Sequence, residues 1–257
     1  MIKATIEDKI VIITLSKGNT NSIDLETLRQ MDTIVQKTNN DDSLNGIILT
    51  GSGRFFSSGF YLPDFIAFKE FKEICKWFEE EEELLINFFT CKKPVVCAMN
   101  GHSVAAGLIL AFASDYRIVK NHPKIKLGMS EIKIGLPLSI AQSAIVRFGI
   151  DSNIAYRNLM YFGEMINVEQ AYKIGIIDEI VQEENLIKRA KEIINLWINT
   201  PNKPFIAMKK TDKQEVVKTI MENLKDDSLK EVLKCFLNTN VKETLKLVQT
   251  KLEPAQE

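Results

Sequence analysis

Strand-like and helix-like segments alternate along the first half of this chain, and that alternation limits its fold more than any other feature. Residues 2–7 and 10–15 read as a hairpin about Glu7-Asp8-Lys9. Residues 24–38 carry Leu25, Leu28, Met31, Ile34 and Val35 at helical spacing, with Asp24 as N-cap. GIILT at 46–50 reads as a short buried strand, and GSGRFFSSG at 51–59 as a loop. Residues 64–90 read as one long helical stretch, in which Phe65, Phe68, Phe71, Ile74, Cys75 and Phe78 recur every three or four residues. Within it, Glu79–Glu83 reads as a solvated face, because five carboxylates cannot be buried unpaired. Pro94 opens the strand PVVCAM, Asn100 and Gly101 close it, and a small apolar helix runs from about Val104 to Ala113. YRIV and IKLG follow as strands. Strands separated by helices call for an α/β core with crossover connections.

After Leu138 the pattern is almost wholly helical, apart from a helix end at Gly175 and a short strand beyond it. Pro201 and Pro204 mark a bend, which divides an expected core at 1–200 from a helical region at 201–257. The 257 residues suit one large domain, or one domain with a helical extension. A net charge of -1 gives no support to binding of nucleic acid or a membrane surface. No window holds eighteen consecutive apolar residues, and the start reads as strands rather than a signal peptide. The end carries no prenylation or peroxisomal signal. Cys75, Cys91, Cys97 and Cys235 have spacings that suit neither a metal site nor a redox pair, so reduced thiols and a cytoplasmic location are expected. The two histidines, His102 and His122, make no zinc site without added carboxylates, and no metal is expected.

Three segments could carry chemistry. Phe56-Ser57-Ser58-Gly59-Phe60 is a turn after a strand, where Gly59 lets backbone N–H groups point at a ligand; the same residues also read as an ordinary loop. Asn100 to Gly107 takes a strand into a helix through tiny side chains, which suits either a ligand at the helix start or close helix–sheet packing. Met129-Ser130-Glu131 puts a carboxylate in apolar surroundings at a strand end. Desolvation there would make Glu131 a base near neutral pH; the other reading is a solvated turn residue or helix cap.

Taken together these segments resemble the crotonase (enoyl-CoA hydratase/isomerase) superfamily. F-S-S-G is similar to its first loop, F-S-x-G-x-D-L. N-G-H-S-V-A-A-G-L-I-L-A-F-A-S-D-Y-R-I is similar to its second, N-G-x-x-x-G-G-G-x-x-x-A-x-x-x-D-x-R-I. M-S-E-I-K-I-G-L resembles its third, x-P-E-x-x-x-G. The stretch G-E-M-I-N-V-E-Q-A-Y-K-I-G-I-I-D-E-I-V resembles a fourth, and the match runs in order from about 5 to 210.

The resemblance implies a spiral of ββα units with a C-terminal helical subdomain, whose helices at 201–257 would make a homotrimer or dimer of trimers. It implies an acyl-CoA thioester substrate, with CoA as part of the substrate and no separate cofactor. The thioester oxygen would be held by the N–H groups of Phe60 and Ala106. Ser57, Ser58, Gly59, Tyr61, Leu62, Gly107 and Ile109 would line the substrate, with the adenine near 57–62. Hydratases of the family carry two glutamates. Here one position is Glu131 and the other is Ile109, a pattern similar to the Δ3,Δ2-enoyl-CoA isomerases of fatty acid β-oxidation. The expected activity is therefore a double-bond shift by Glu131. Alternatives are a decarboxylase or hydratase-like member, or a non-catalytic CoA-binding subunit. Tyr61 stands where the family has Asp, which weakens the expected anchoring of the first loop. His102 is expected to be structural. Phe65, Phe68 and Phe71 suit an acyl tunnel, but core packing is the preferred reading.

Overall fold

The computed structural model describes residues 2–252. β1 (Ile2–Glu7) and β2 (Ile10–Leu15) form the expected antiparallel hairpin. α1 (Leu25–Asn40) begins at Asp24, whose carboxylate accepts the Thr27 N–H at 2.8 Å and so satisfies an orphan helix donor. A unit of two strands and a helix then recurs. β3 (Gly46–Gly51) and β4 (Phe55–Ser57) lead to α2 (Leu62–Ala67) and α3 (Phe71–Phe89). β5 (Val95–Met99) and β6 (His102–Val104) lead to α4 (Ala106–Ala113). β7 (Tyr116–Lys120) and β8 (Leu127–Gly128) lead to a 3₁₀ turn (Glu131–Ile134) and α5 (Ile140–Phe148). The rest is α6 (Asn153–Tyr161), β9 (Met165–Ile166), α7 (Val168–Lys173), β10 (Glu179–Val181), α8 (Leu186–Ile198), α9 (Pro204–Asn223), α10 (Asp227–Lys230), a 3₁₀ segment (Glu231–Leu237) and α11 (Thr239–Leu252).

The first strand of each unit joins one sheet, in the order β1-β2-β3-β5-β7-β10. The second joins another, in the order β4-β6-β8-β9. Successive units pair in parallel, so the chain advances one strand in each sheet per turn of a spiral. The inner strands β2, β3 and β5 of the large sheet are buried on both faces, whereas the edge strand β1 is largely exposed. Along β2, Ile10 and Ile12 pack with Leu186, Ile193 and Ile194 of α8, while Val11, Ile13 and Leu15 enter the main core. α4 is buried all round, which is why its sequence AGLILAFA has no polar face.

Four local readings are corrected. The stretch 64–90 is two helices. Phe68 and Glu70 are extended, and a capping box of Glu70 and Glu73 starts α3 afresh, the Glu73 carboxylate accepting the Lys69 N–H at 2.8 Å. The loop 51–59 contains β4, and Val104 lies in β6 rather than in a helix, because these two short strands pair with each other. The Glu79–Glu83 run is not wholly solvated. Glu79 and Glu83 are exposed, but Glu81 and Glu82 are 1% and 5% exposed. They escape the expected penalty because the start of α5 supplies donors. Ala141 N–H reaches Glu82 at 3.1 Å and Ser139 Oγ reaches Glu81 at 3.5 Å. Burial still pushes the Glu81 carboxyl up to about 8, so it is mostly protonated at neutral pH.

Beyond residue 200, α9 is fastened by two buried lysines. Lys209 and Lys213 both donate to Asp115, at 2.5 and 2.7 Å. The last described helices close over α2 and α3 of the same chain, where Leu233, Phe236 and Leu245 pack with Leu62, Phe65, Phe68, Trp77 and Phe78. Phe65 and Phe68 are thus core residues, with Phe71 half-buried beside them. Among the described residues no helix is long and apolar enough to cross a membrane, and all four cysteines are free thiols.

Candidate active site

The first loop leaves β4 at Ser57, a fully buried residue whose Oγ accepts the Gly59 N–H at 3.1 Å. Gly59 has a φ of 103°, a conformation that favours glycine. The following residues are zipped to the segment before α1. Ser58 N–H donates to Thr20 O at 2.9 Å, Ile23 N–H to Gly59 O at 2.9 Å, and Tyr61 N–H to Ile23 O at 2.8 Å. In a parallel bridge the residues on either side of Phe60 take these bonds. Among the described residues, the Phe60 N–H is therefore left without an acceptor.

Tyr61 begins α2 with no side-chain cap. Its ring instead lies under the Lys17 ammonium, 4.0 Å from the centroid, and Lys17 is ion-paired with Asp24. Burial opposes ionisation of Asp24, but Lys17 and Thr27 outweigh it and hold the carboxyl down at about 2. The loop is thus anchored without the family's Asp. Leu62 is buried in the aromatic cluster of α2 and α3, and the Phe60 ring packs edge-on against Trp77 at 5.1 Å.

The second loop passes through Ala105 into α4. Ala105 N–H donates to Gly128 O at 3.0 Å, and Ala105 O accepts the Ile109 N–H at 3.0 Å. Ala106 is the first residue of α4, and among the described residues its N–H has no acceptor. The two loops are in contact. A methyl group placed on Gly59 would lie 2.8 Å from Ala105 Cβ and 3.3 Å from Ala106 N. One placed on Gly107 would lie 2.7 Å from Ser57 Cβ. Small residues are required there because backbone meets backbone.

The third segment is tied to the second by the Gly128 carbonyl. Glu131 opens the 3₁₀ turn three residues later, just past the strand end where the sequence placed it. The turn is closed by Gly135 at φ 75° and by Leu136 N–H donating to Glu131 O at 3.0 Å. It is wedged between two elements: a methyl on Gly135 would meet Val241 of α11 at 3.2 Å, and one on Gly163 would meet Ile132 at 3.1 Å. Glu131 as a residue is half-buried, but its Oε2 is shut off from solvent and has no hydrogen-bond partner. Burial pushes its carboxyl up to about 7, with no neighbouring charge contributing. Such a group can take and return a proton near neutral pH. Ile109, in the second turn of α4, is 2% exposed and offers no polar atom.

The structure therefore brings Ser57 and Gly59, with Phe60 next along the chain, against Ala105, Ala106 and Gly107, and ties β8, which leads to Glu131, to the same junction. Ser58, Tyr61 and Leu62 continue the first loop. His102 stands apart: its Nδ1 accepts the Lys126 N–H at 3.1 Å and its ring packs on Phe55. Burial, then Arg54, depresses its pKa. Lys17, Ile23, Trp77 and Val241 also shape the site but were not singled out from the sequence. Their contacts join distant segments, and no local pattern marks them.

A spiral of ββα units carrying this junction is the crotonase-type fold, and the comparisons agree. The family profile described as Enoyl-CoA hydratase/isomerase matches residues 5–254, so the chain belongs to that family, within the crotonase superfamily. The human mitochondrial delta3-delta2-enoyl-CoA isomerase has the same fold, with a TM-score of 0.88 at 21% identity, covering 100% of this chain and 99% of that one. Enoyl-CoA delta isomerase 1, mitochondrial, of Mus musculus is 27% identical over 194 residues, 75% of this chain and 66% of that protein. The short-chain-enoyl-CoA hydratase of Clostridium acetobutylicum is 25% identical over 193 residues, 74% of this chain and 72% of that protein.

Proposed function

We propose that this chain is a Δ3,Δ2-enoyl-CoA isomerase of fatty acid β-oxidation. The observation that carries the reading is one carboxylate, Glu131, whose Oε2 is buried without a hydrogen-bond partner, combined with aliphatic Ile109 at the position of the hydratases' other acid. Hydration needs a water held between two acids, whereas moving a double bond needs one base that can return what it takes.

The 3-enoyl thioester places its carbonyl oxygen on the N–H groups of Phe60 and Ala106. Glu131 takes a proton from C2, and the C–H electron pair passes into a dienolate whose charge rests on the thioester oxygen. The two N–H bonds strengthen as that charge grows; one such donor is typically worth about 10²–10³ in rate. Protonated Glu131 then delivers the proton to C4, and the double bond comes to lie between C2 and C3. Nothing is added or lost, and the scheme calls for no metal or redox cofactor, CoA being part of the substrate. Ser57, Ser58, Gly59, Tyr61, Leu62 and Gly107 line the thioester and CoA arm in this reading. A homotrimer or dimer of trimers in the cytoplasm belongs to the same proposal.

The test is direct. Purified protein should convert 3-hexenoyl-CoA to the conjugated 2-enoyl thioester, followed by its ultraviolet absorbance. It should hydrate crotonyl-CoA at least about 10²-fold more slowly, for want of the second acid. Hydration as fast as isomerisation would overturn the reading. Decarboxylation of a carboxylated acyl-CoA would assign it to another branch of the family. Tight CoA binding with no turnover would make it a binding subunit.

A further inference from the structure

Ala105 lies between the two donor loops in a conformation that an alanine resists. Its φ is 53° and its ψ is -127°, values that suit glycine at the first central position of a type II′ turn. The surrounding structure holds it there from both sides. Its N–H is bonded to Gly128 O and its C=O to Ile109 N–H, both at 3.0 Å. A strained backbone persists only when its neighbours over-determine it in this way. Its methyl also occupies a definite place. A Cβ on Gly59 would come within 2.8 Å of Ala105 Cβ, closer than two carbons can approach, so the space between the loops admits one methyl and not two. Gly59 leaves that space empty, and Ala105 fills it.

We propose that Ala105 is a positioning residue: its methyl is the spacer that sets the separation of the Phe60 and Ala106 N–H groups, and the strain in its backbone is the cost of placing that methyl there. The inference rests on the reading that these two groups hold a thioester oxygen. Its signature is a conflict between stability and activity. Glycine would relieve the strain but remove the spacer, whereas serine keeps a Cβ in the same place.

The experiment compares wild type, Ala105→Gly and Ala105→Ser in three measurements. These are thermal unfolding, turnover of 3-hexenoyl-CoA, and the infrared carbonyl stretch of bound hexanoyl-CoA labelled with ¹³C at the thioester. Wild type should shift that stretch to lower frequency, because the two donors polarise the carbonyl. Ala105→Gly should melt about 2–4 °C higher, lose much of the frequency shift, and lose about tenfold in kcat with KM within twofold. Ala105→Ser should keep the frequency shift and most of kcat. A glycine variant with an unchanged carbonyl stretch and kcat overturns the spacer. A lower melting temperature for that variant overturns the strain. A serine variant that behaves like glycine overturns the role of Cβ. If wild type itself leaves the stretch unshifted, the fault lies with the thioester reading. If wild type shifts the stretch but does not isomerise 3-hexenoyl-CoA, only the reaction assigned to the site is wrong.

Discussion

Glu131 and Asp115 both hold carboxylate oxygen away from water, and the two are treated in opposite ways. Asp115, with a side chain 4% exposed, accepts from Val95 N–H at 2.8 Å, Lys209 at 2.5 Å and Lys213 at 2.7 Å. Lys213 also donates to Phe89 O and Ala113 O, the carbonyl ends of α3 and α4. Its ammonium is nonetheless pulled down to about 8, by burial, with Asp115 opposing. Glu131 has a buried Oε2 with no partner. The same desolvation thus yields a fastener where countercharges are supplied and a carboxyl that titrates near neutral pH where they are withheld.

The contrast is most sharply tested at the base. Glu131→Gln should lower kcat for 3-hexenoyl-CoA by about 10³–10⁴-fold and leave CoA-thioester affinity within a few-fold, measured by steady-state kinetics and calorimetry. A variant that keeps a tenth of the activity would place the base elsewhere. The opposite result is expected at the fastener. Asp115→Asn strands two buried ammoniums and should destabilise the fold by about 3–5 kcal/mol, read from urea unfolding. A loss below about 1 kcal/mol would mean that the lysines find other partners.

Acidity should distinguish the two sites next. A base held at about 7 is ionised only above that pH, so kcat/KM should rise with pH through about 7, and at pH 5 should lie about 100-fold below its plateau. A profile flat from pH 5 to 8 would sink the raised pKa. Stability should move the other way. The folded state holds the Glu131 proton more tightly than the unfolded chain, so Glu131 subtracts stability as pH rises from about 4.5 to about 7. Glu131→Gln should then be more stable than wild type by roughly 3 kcal/mol at pH 8 and equal to it at pH 4, by urea unfolding at both values. The smallest effect is expected at Lys17, beside the first loop. Lys17→Met removes a half-exposed ion pair and should cost about 0.5–1 kcal/mol, with KM for the CoA substrate measured alongside.

Much of this was readable locally. Asp24 sits one residue before an apolar periodic run, and it is the N-cap of α1. The apolar runs GIILT and PVVCAM became β3 and β5, because a strand buried on both faces must be apolar throughout. The break before α3 was written as Glu70-x-x-Glu73 but was overridden by the aromatic spacing that runs across it. Glu81 and Glu82 read as solvated in the sequence and are buried in the fold, because their donors lie at the start of α5, far along the chain.

By itself the sequence determined the alternation of elements, the glycines that let backbones meet, and the identities of the acid at 131 and the aliphatic side chain at 109. These follow from local dihedral preference and from hydrophobic period, which need no knowledge of partners. Only the tertiary structure decided which carboxylates are buried and which of those are paired. Desolvation and countercharge depend on what other segments bring within a few ångströms, and the chain returns to the turn that carries Glu131 through Val241 of α11, against Gly135, and to Asp115 through Lys209 and Lys213 of α9.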